Sequence, residues 1–109
     1  MYKIALITGD GIGPEISESV INILNTINDK LGFKIEVKAL DAGDDTLRKT
    51  GKALPAETFE AIKKSDACLK APVGENAADV IIVLRRELDL YANIRPAKSY
   101  PNMPSLKDN

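Results

Sequence analysis

Apolar positions change their spacing along the chain, and each spacing predicts a different element. Residues 3–8 form a short apolar run, which is typical of a buried strand. Apolar side chains then recur every three or four positions from residue 16 to residue 31. This spacing predicts an amphipathic helix, with Pro14 at its first position and Gly32 as its C-terminal cap. Residues 33–40 alternate apolar and polar side chains and therefore predict a second strand.

The next segments continue the alternation with shorter elements. Residues 41–51 are polar and predict a loop with a possible short helix. Residues 55–64 predict a helix, residues 66–71 a third strand, and residues 72–75 a loop. Strands that alternate with helices indicate an α/β fold, with a mostly parallel sheet flanked by helices.

Two segments near the end of the chain allow more than one prediction. Residues 77–88 are rich in β-branched side chains, which favours a strand. Asn76 is a good N-cap and Asp79 places an acid in the first turn, and for these reasons we predict a helix. Residues 90–98 predict a strand or an extended segment, which Pro96 restricts to a sheet edge or a strand end.

Composition excludes several classes of function. The 109 residues suffice for one domain, and 15 basic against 16 acidic residues give a net charge of −1 without the basic excess of a nucleic-acid binder. The apolar runs are far shorter than the ~20 residues of a membrane span, and no leader pattern is visible, so we expect a cytoplasmic protein. Cys68 has no partner for a disulfide and is expected to be buried, and histidine is absent.

The glycine-rich stretch at residues 9–13 is the first candidate for a binding site. The dinucleotide-binding fingerprint needs glycine at its first, third and sixth positions. Here the sixth position is Pro14, and Asp10 would place a negative charge beside a diphosphate. The fingerprint therefore fails. A tight strand-to-helix turn and a ligand-binding turn of another kind both remain open.

Arg85 is the second candidate, because helical spacing places it on one face with Ile81 and Ile82. A guanidinium group binds a carboxylate in bidentate fashion, and isoleucine side chains suit an alkyl group. The alternatives are a solvated charge at Arg85 and ordinary core packing for the isoleucines.

An ordered set of motifs resembles the β-decarboxylating dehydrogenases, which act on isopropylmalate, isocitrate, homoisocitrate or tartrate. These motifs are GDGIGPE, GKALP, LKAPVGE and LRRELDLYANIRPAK, and together they span almost the whole chain. Within that family the segment from residue 70 to residue 99 is most similar to archaeal 3-isopropylmalate dehydrogenases. The resemblance implies a non-Rossmann α/β fold in which residues 1–109 are the N-terminal segment of the large domain. The remainder of the enzyme is then absent from this chain.

The resemblance implies an oxidoreductase of leucine biosynthesis and assigns substrate contacts to four residues. Arg85 and Arg95 match the family's malate-binding arginines, while Ile81 and Ile82 face the substrate's side chain. Isocitrate enzymes carry an asparagine at the position of Ile81. Because isoleucine cannot hydrogen-bond a third carboxylate, this position favours isopropylmalate. It argues less strongly against homoisocitrate and tartrate.

The resemblance also implies a cofactor, a metal and partners. Ile12, Val73, Gly74 and Glu75 match segments that lie near the nicotinamide ring of NAD, whereas Lys70 is as readily a surface lysine. Magnesium or manganese is expected, with its ligands and the catalytic acid and base outside this chain. Whether NAD or NADP is used stays open. The full enzyme is expected to be a homodimer or larger and to bind a small 2-hydroxy acid, with no nucleic acid or membrane.

Two further alternatives concern the chain as a whole. A complete 109-residue product would be a binding or regulatory module, and a small α/β domain without a site is the plainest possibility. If the chain is a fragment, we expect it to be inactive and poorly stable alone, because it would expose sheet edges that its missing partners cover.

Overall fold

A three-stranded parallel sheet organises the computed structural model, which describes residues 1–104. Its strands are β1 (Tyr2–Ile7), β2 (Ile35–Leu40) and β3 (Ala67–Lys70), in the spatial order β2-β1-β3. In the central strand, Ile4 lies opposite Val37 on one side and Ala67 on the other. The three predicted strands and the α/β class are confirmed.

Four α-helices connect and follow the strands. They are α1 (Gly13–Leu31), α2 (Asp44–Thr50), α3 (Ala56–Lys63) and α4 (Asp79–Glu87), with a short 3-10 turn over Glu75–Ala77. The helices predicted to end at Gly32 and to lie within residues 55–64 and 77–88 are confirmed as α1, α3 and α4, and the possible short helix in residues 41–51 is present as α2. Within residues 1–104, no helix is long and apolar enough to cross a membrane.

The hydrophobic core lies on one face of the sheet, between the strands and helices α3 and α4. Alternate side chains of a strand point to opposite faces, so Ala5 and Ile7 enter this core while Leu6 is buried on the other face. The remaining fully buried members come from the loops and helices: Ala42, Ile62, Ala77, Val80 and Leu84. Burial of these side chains fixes α3 and α4 against the central strand.

The end of α1 is tied to the start of β2 by one side chain. The Asn28 amide donates to the Ile35 carbonyl oxygen and accepts from the Ile35 N–H, both at 2.8 Å. Gly32 ends the helix in the left-handed conformation, at φ 69°. The predicted glycine cap is therefore confirmed.

The start of α4 differs from the prediction. Asn76 does not cap the helix, because the cap position is Ala78 and no side chain bonds there. The chain first forms the 3-10 turn, and the Asn76 amide donates to Asp44 Oδ2 at 3.0 Å. A contact distant in sequence thus competes with the local cap.

Residues 90–100 form neither strand nor helix. The strand alternative for residues 90–98 is wrong in this chain, because the segment pairs with no strand of the described sheet. Tyr91 and Ile94 are almost fully exposed. Cys68 is half-buried rather than buried, and this burial raises the pKa of its thiol.

We expect Gly9→Ala to destabilise the fold more than Gly11→Ala. Both glycines have positive φ, 68° and 58°, where a Cβ costs about 1 kcal/mol. At Gly9 the added Cβ would also collide with the carbonyl oxygen of Pro72, whereas at Gly11 it meets no atom within 4 Å. Overpacking adds roughly 1–3 kcal/mol. Urea titrations of both variants check this, and equal losses would contradict the close approach at Gly9.

Candidate functional site

The three parallel strands end at the same edge of the sheet, and the loops that follow them meet there. The chain leaves β1 toward β2 on one side and later reaches β3 on the other side of β1. In open α/β sheets, ligands bind outside the carboxyl ends of strands where the strand order reverses in this way. The turn at residues 8–12 and the loop at residues 71–74 occupy that position.

Asp10 joins three segments at this edge. Its Oδ2 accepts the N–H groups of Asp44 at 2.7 Å and Gly74 at 2.8 Å, and its Oδ1 accepts the N–H of Asp45 at 3.0 Å. Its own N–H donates to the carbonyl oxygen of Pro72 at 2.8 Å. We call this set of bonds the Asp10 latch.

Two glycines provide the space that the latch needs. A Cβ at Gly43 would collide with the Asp10 carboxylate, and a Cβ at Gly74 would collide with that of Asp44. Gly43 also has φ 124°, which L side chains rarely adopt. The latch therefore requires glycine at two positions far from residue 10 in sequence.

The latch changes the acidity of Asp10. Burial alone raises the pKa of this carboxyl, but the N–H groups of Asp45, Gly74 and Asp44, together with the charge of Arg48, outweigh that effect and lower its pKa. Arg48 also pairs with Asp45 at the exposed surface. The carboxylate is consequently ionised at neutral pH, and its oxygens are already bonded to backbone donors.

The four residues expected near a nicotinamide ring lie on the segments that the latch holds. Ile12 lies within the glycine turn, at the N-cap position of α1, and is 63% exposed. Val73 and Gly74 are half-buried, and Glu75 is exposed at the start of the 3-10 turn. The structure thus brings the turn after β1 and the loop after β3 together, as the resemblance implied, through bonds that the sequence did not predict.

The residues expected to bind substrate lie on α4 and beyond it. Ile82 is 51% exposed, Arg85 is exposed and Ile81 is half-buried, while Val80 and Leu84 of the same helix are buried. Ile82 is therefore not part of the core, whereas Ile81 is partly covered. Arg95 lies exposed in the irregular segment 90–100.

An apolar groove lies elsewhere, between α3 and α4. It has a volume of about 510 Å³ and is mostly apolar, with Leu54, Phe59, Val80 and Val83 among its lining residues. None of the predicted site residues lines it. Lys52 lines the groove, but so do the carboxylates of Asp79 and Glu87, which would repel a dicarboxylate. The carboxyl edge and the outer face of α4 therefore remain the candidate site.

Carboxylates gather at the carboxyl edge without forming a metal centre. Within residues 1–104, no cluster of three or more acidic, cysteine or histidine side chains could hold a metal ion. Asp10 is bonded to backbone N–H groups, Asp45 pairs with Arg48, and Asp44 accepts from Asn76. These three carboxylates are engaged in other bonds and do not form a ligand set for a divalent metal ion.

Comparison with known proteins identifies the family. A family model described as isocitrate/isopropylmalate dehydrogenase matches residues 3–108. The chain belongs to the isocitrate/isopropylmalate dehydrogenase family. Within it, the 3-isopropylmalate dehydrogenase of Archaeoglobus fulgidus is 52% identical over 106 residues, covering 97% of this chain and 31% of that protein. That of Saccharolobus solfataricus is 47% identical over 108 residues, covering 99% and 32%.

Solved structures of the family agree with the fold. A Thermus thermophilus protein matches with TM-score 0.73 and 32% identity, covering 95% of this chain and 21% of that one. The isocitrate dehydrogenase of Methylococcus capsulatus matches with TM-score 0.68 and 34% identity, covering 84% and 27%. The chain spans about a third of the length of the curated relatives it matches.

The pH dependence of stability tests the Asp10 latch. Because the pKa of Asp10 is lowered in the folded protein, the ionised carboxylate stabilises the fold above the unfolded value of about 3.9. That contribution is lost as the pH falls through the lowered pKa. We therefore expect the difference in unfolding free energy between wild type and Asp10→Asn to be constant near neutral pH and to shrink below about pH 4. If the difference in unfolding free energy stays constant below pH 4, the ionised Asp10 carboxylate does not stabilise the fold.

Proposed function

We propose that this chain is the N-terminal part of an NAD-dependent dehydrogenase that oxidises and decarboxylates 3-isopropylmalate. The observation that carries the proposal is the outward face of α4, where exposed Arg85 stands beside exposed Ile82 and half-buried Ile81. A cation next to an alkyl surface matches a substrate that has carboxylates at one end and an isopropyl group at the other. Similarity to archaeal 3-isopropylmalate dehydrogenases supports the same substrate.

The two arginines are available to bind carboxylates. Among residues 1–104, neither Arg85 nor Arg95 forms an ion pair, although Glu87 and Asp89 lie close to Arg85 in sequence. A guanidinium group stays charged at working pH and binds a carboxylate through two parallel hydrogen bonds. We assign both arginines to the malate part of the substrate.

Position 81 sets the preference among related acids. An isoleucine side chain packs against an isopropyl group, with a gain of roughly 1–3 kcal/mol. It offers no hydrogen bond to the third carboxylate of isocitrate, which would be left unpaired. Asp79, in the first turn of α4, would repel that carboxylate as well.

The carboxyl edge suits the nicotinamide end of NAD better than its diphosphate. The amides of Gly74, Asp44 and Asp45 already donate to Asp10, so they are not free to bind phosphate. Negative charge at this edge repels a diphosphate and attracts the cationic nicotinamide ring. We place Ile12, Val73, Gly74 and Glu75 beside that ring, where the bound cofactor accepts a hydride.

The remaining parts of the reaction need residues outside this chain. A magnesium or manganese ion, when bound, polarises the oxo acid for loss of carbon dioxide. The carboxylates described above do not fit that ion, so we expect its ligands and the catalytic acid and base elsewhere in the enzyme. We also propose a cytoplasmic homodimer or larger assembly.

Arginine substitutions in the full-length enzyme test the carboxylate contacts. Arg85→Ala and Arg95→Ala should each lower kcat/KM for isopropylmalate by about 10²-fold or more, because each removes a charged hydrogen-bond donor. The matched control is Arg86→Ala, one residue along α4 and equally exposed. Steady-state NAD reduction measures all three, and equal effects at positions 85 and 86 would contradict the assignment.

Substitution at position 81 tests the substrate class. Ile81→Asn should move the ratio of catalytic efficiencies from isopropylmalate toward isocitrate by roughly tenfold or more, since it removes an apolar contact and adds a hydrogen-bond donor. NAD reduction with each acid measures the ratio. An unchanged ratio would overturn the argument from position 81, and a wild type that prefers isocitrate would overturn the proposed substrate.

A further inference from the structure

Asp10 forms hydrogen bonds to the residues on both sides of Val73 in the loop after β3. Its N–H donates to the Pro72 carbonyl oxygen and its Oδ2 accepts the Gly74 N–H, both at 2.8 Å. Val73 lies between these two bonds and also packs against the hydrophobic core. The backbone on both sides of Val73 is therefore fixed relative to the turn after β1.

A further hydrogen bond, which starts from α2, holds the same loop. The Asp10 carboxylate accepts the first two N–H groups of that helix, at Asp44 and Asp45. The Asp44 carboxylate in turn accepts the Asn76 amide at 3.0 Å. The loop from residue 72 to residue 76 is thus bonded at three points to groups that Asp10 orders.

We infer that Asp10 is a positioning residue for the nicotinamide end of the cofactor: it makes no contact with NAD but holds Val73, Gly74 and Glu75 where they contact it. This inference rests on the proposed function of that loop. The Asp10 carboxylate takes all its donors from the backbone, so the bonds that fix the loop also occupy the amides that a phosphate would need. Misplacement of a contacting loop by about 1 Å can cost as much as 10²-fold.

The chain contains a matched control at the other end of the sheet. Asp66 also joins the segments of β1 and β3, since its Oδ2 accepts the Lys3 N–H at 2.7 Å and its own N–H donates to the Lys3 carbonyl oxygen at 2.8 Å. Like Asp10, it bonds a neighbouring segment through both its carboxylate and its own N–H, but it does so at the amino edge, at the other end of β3 from the loop. Asp66→Ala should therefore lower stability without changing cofactor binding.

The test compares Asp10→Ala, Asp10→Asn and Asp66→Ala in the full-length enzyme. NADH and NADPH fluorescence titrations give the dissociation constants without turnover, and hydrogen exchange reports the protection of the Gly74 amide. We expect Asp10→Ala to raise the dissociation constant and the KM for NAD by about 10- to 100-fold, to change the KM for the acid less, and to expose the Gly74 amide. Asp66→Ala should leave all four readouts near wild type.

Asp10→Asn keeps the inference testable if the alanine variant does not fold. The asparagine side-chain oxygen can still accept from Asp44 and Gly74, while its amino group faces the Asp45 N–H, so we expect partial rescue of cofactor binding. Unchanged dinucleotide binding in both Asp10 variants, or equal losses in Asp66→Ala, would overturn the inference while leaving the proposed function intact. A wild type that binds neither dinucleotide would overturn both.

Discussion

Three backbone N–H groups from distant parts of the chain share one carboxylate, and the carboxyl edge of the sheet depends on that arrangement. The strands β1, β2 and β3 run in parallel, so the loops that follow them meet at one edge of the sheet. Each loop brings backbone N–H and C=O groups that need hydrogen-bond partners there. Asp10 satisfies donors from the loops after β2 and β3 at once. Gly43 leaves room for the Asp10 carboxylate, and Gly74 leaves room for that of Asp44.

The same arrangement explains why a glycine-rich turn after the first strand is not a phosphate loop. In phosphate loops, backbone amides at a strand-to-helix turn point toward an anionic ligand. Here the anion belongs to the protein itself. The carboxylate of Asp10, a residue of the turn, accepts hydrogen bonds from backbone N–H groups of a neighbouring segment. The Asp10 carboxylate leaves a negative charge at this edge and occupies the amides of Asp44, Asp45 and Gly74, which an anionic ligand would otherwise need.

The described chain also has surfaces that a larger protein would cover. Both outer strands, β2 and β3, have one edge without a partner in residues 1–104, and α4 presents Ile82 and Val83 to solvent. Unpaired strand edges and exposed apolar side chains are costly in an isolated domain. The chain spans about a third of its relatives' length. In an enzyme of that length, further segments would be the natural partners of these surfaces.

The sequence by itself determined the elements of this chain and its family. Apolar spacing placed β1, α1 and Gly32 correctly, because local burial patterns and glycine caps depend on neighbouring residues. The family could be predicted as well, because its motifs are short and follow one another in a fixed order along the chain. What lies beyond these local patterns had to come from the fold.

Only the tertiary structure decided the Asp10 latch, the start of α4 and the conformation of residues 90–100. Asp10 reaches Gly74 across 64 positions of sequence, a contact that no local pattern encodes. Asn76 looked like a helix cap, but it bonds to Asp44, which the fold brings beside it. Residues 90–98 allowed either a strand or an extended segment by their local pattern. A strand forms only when its backbone groups pair with those of a neighbour, and in the described fold this segment pairs with neither free edge of the sheet.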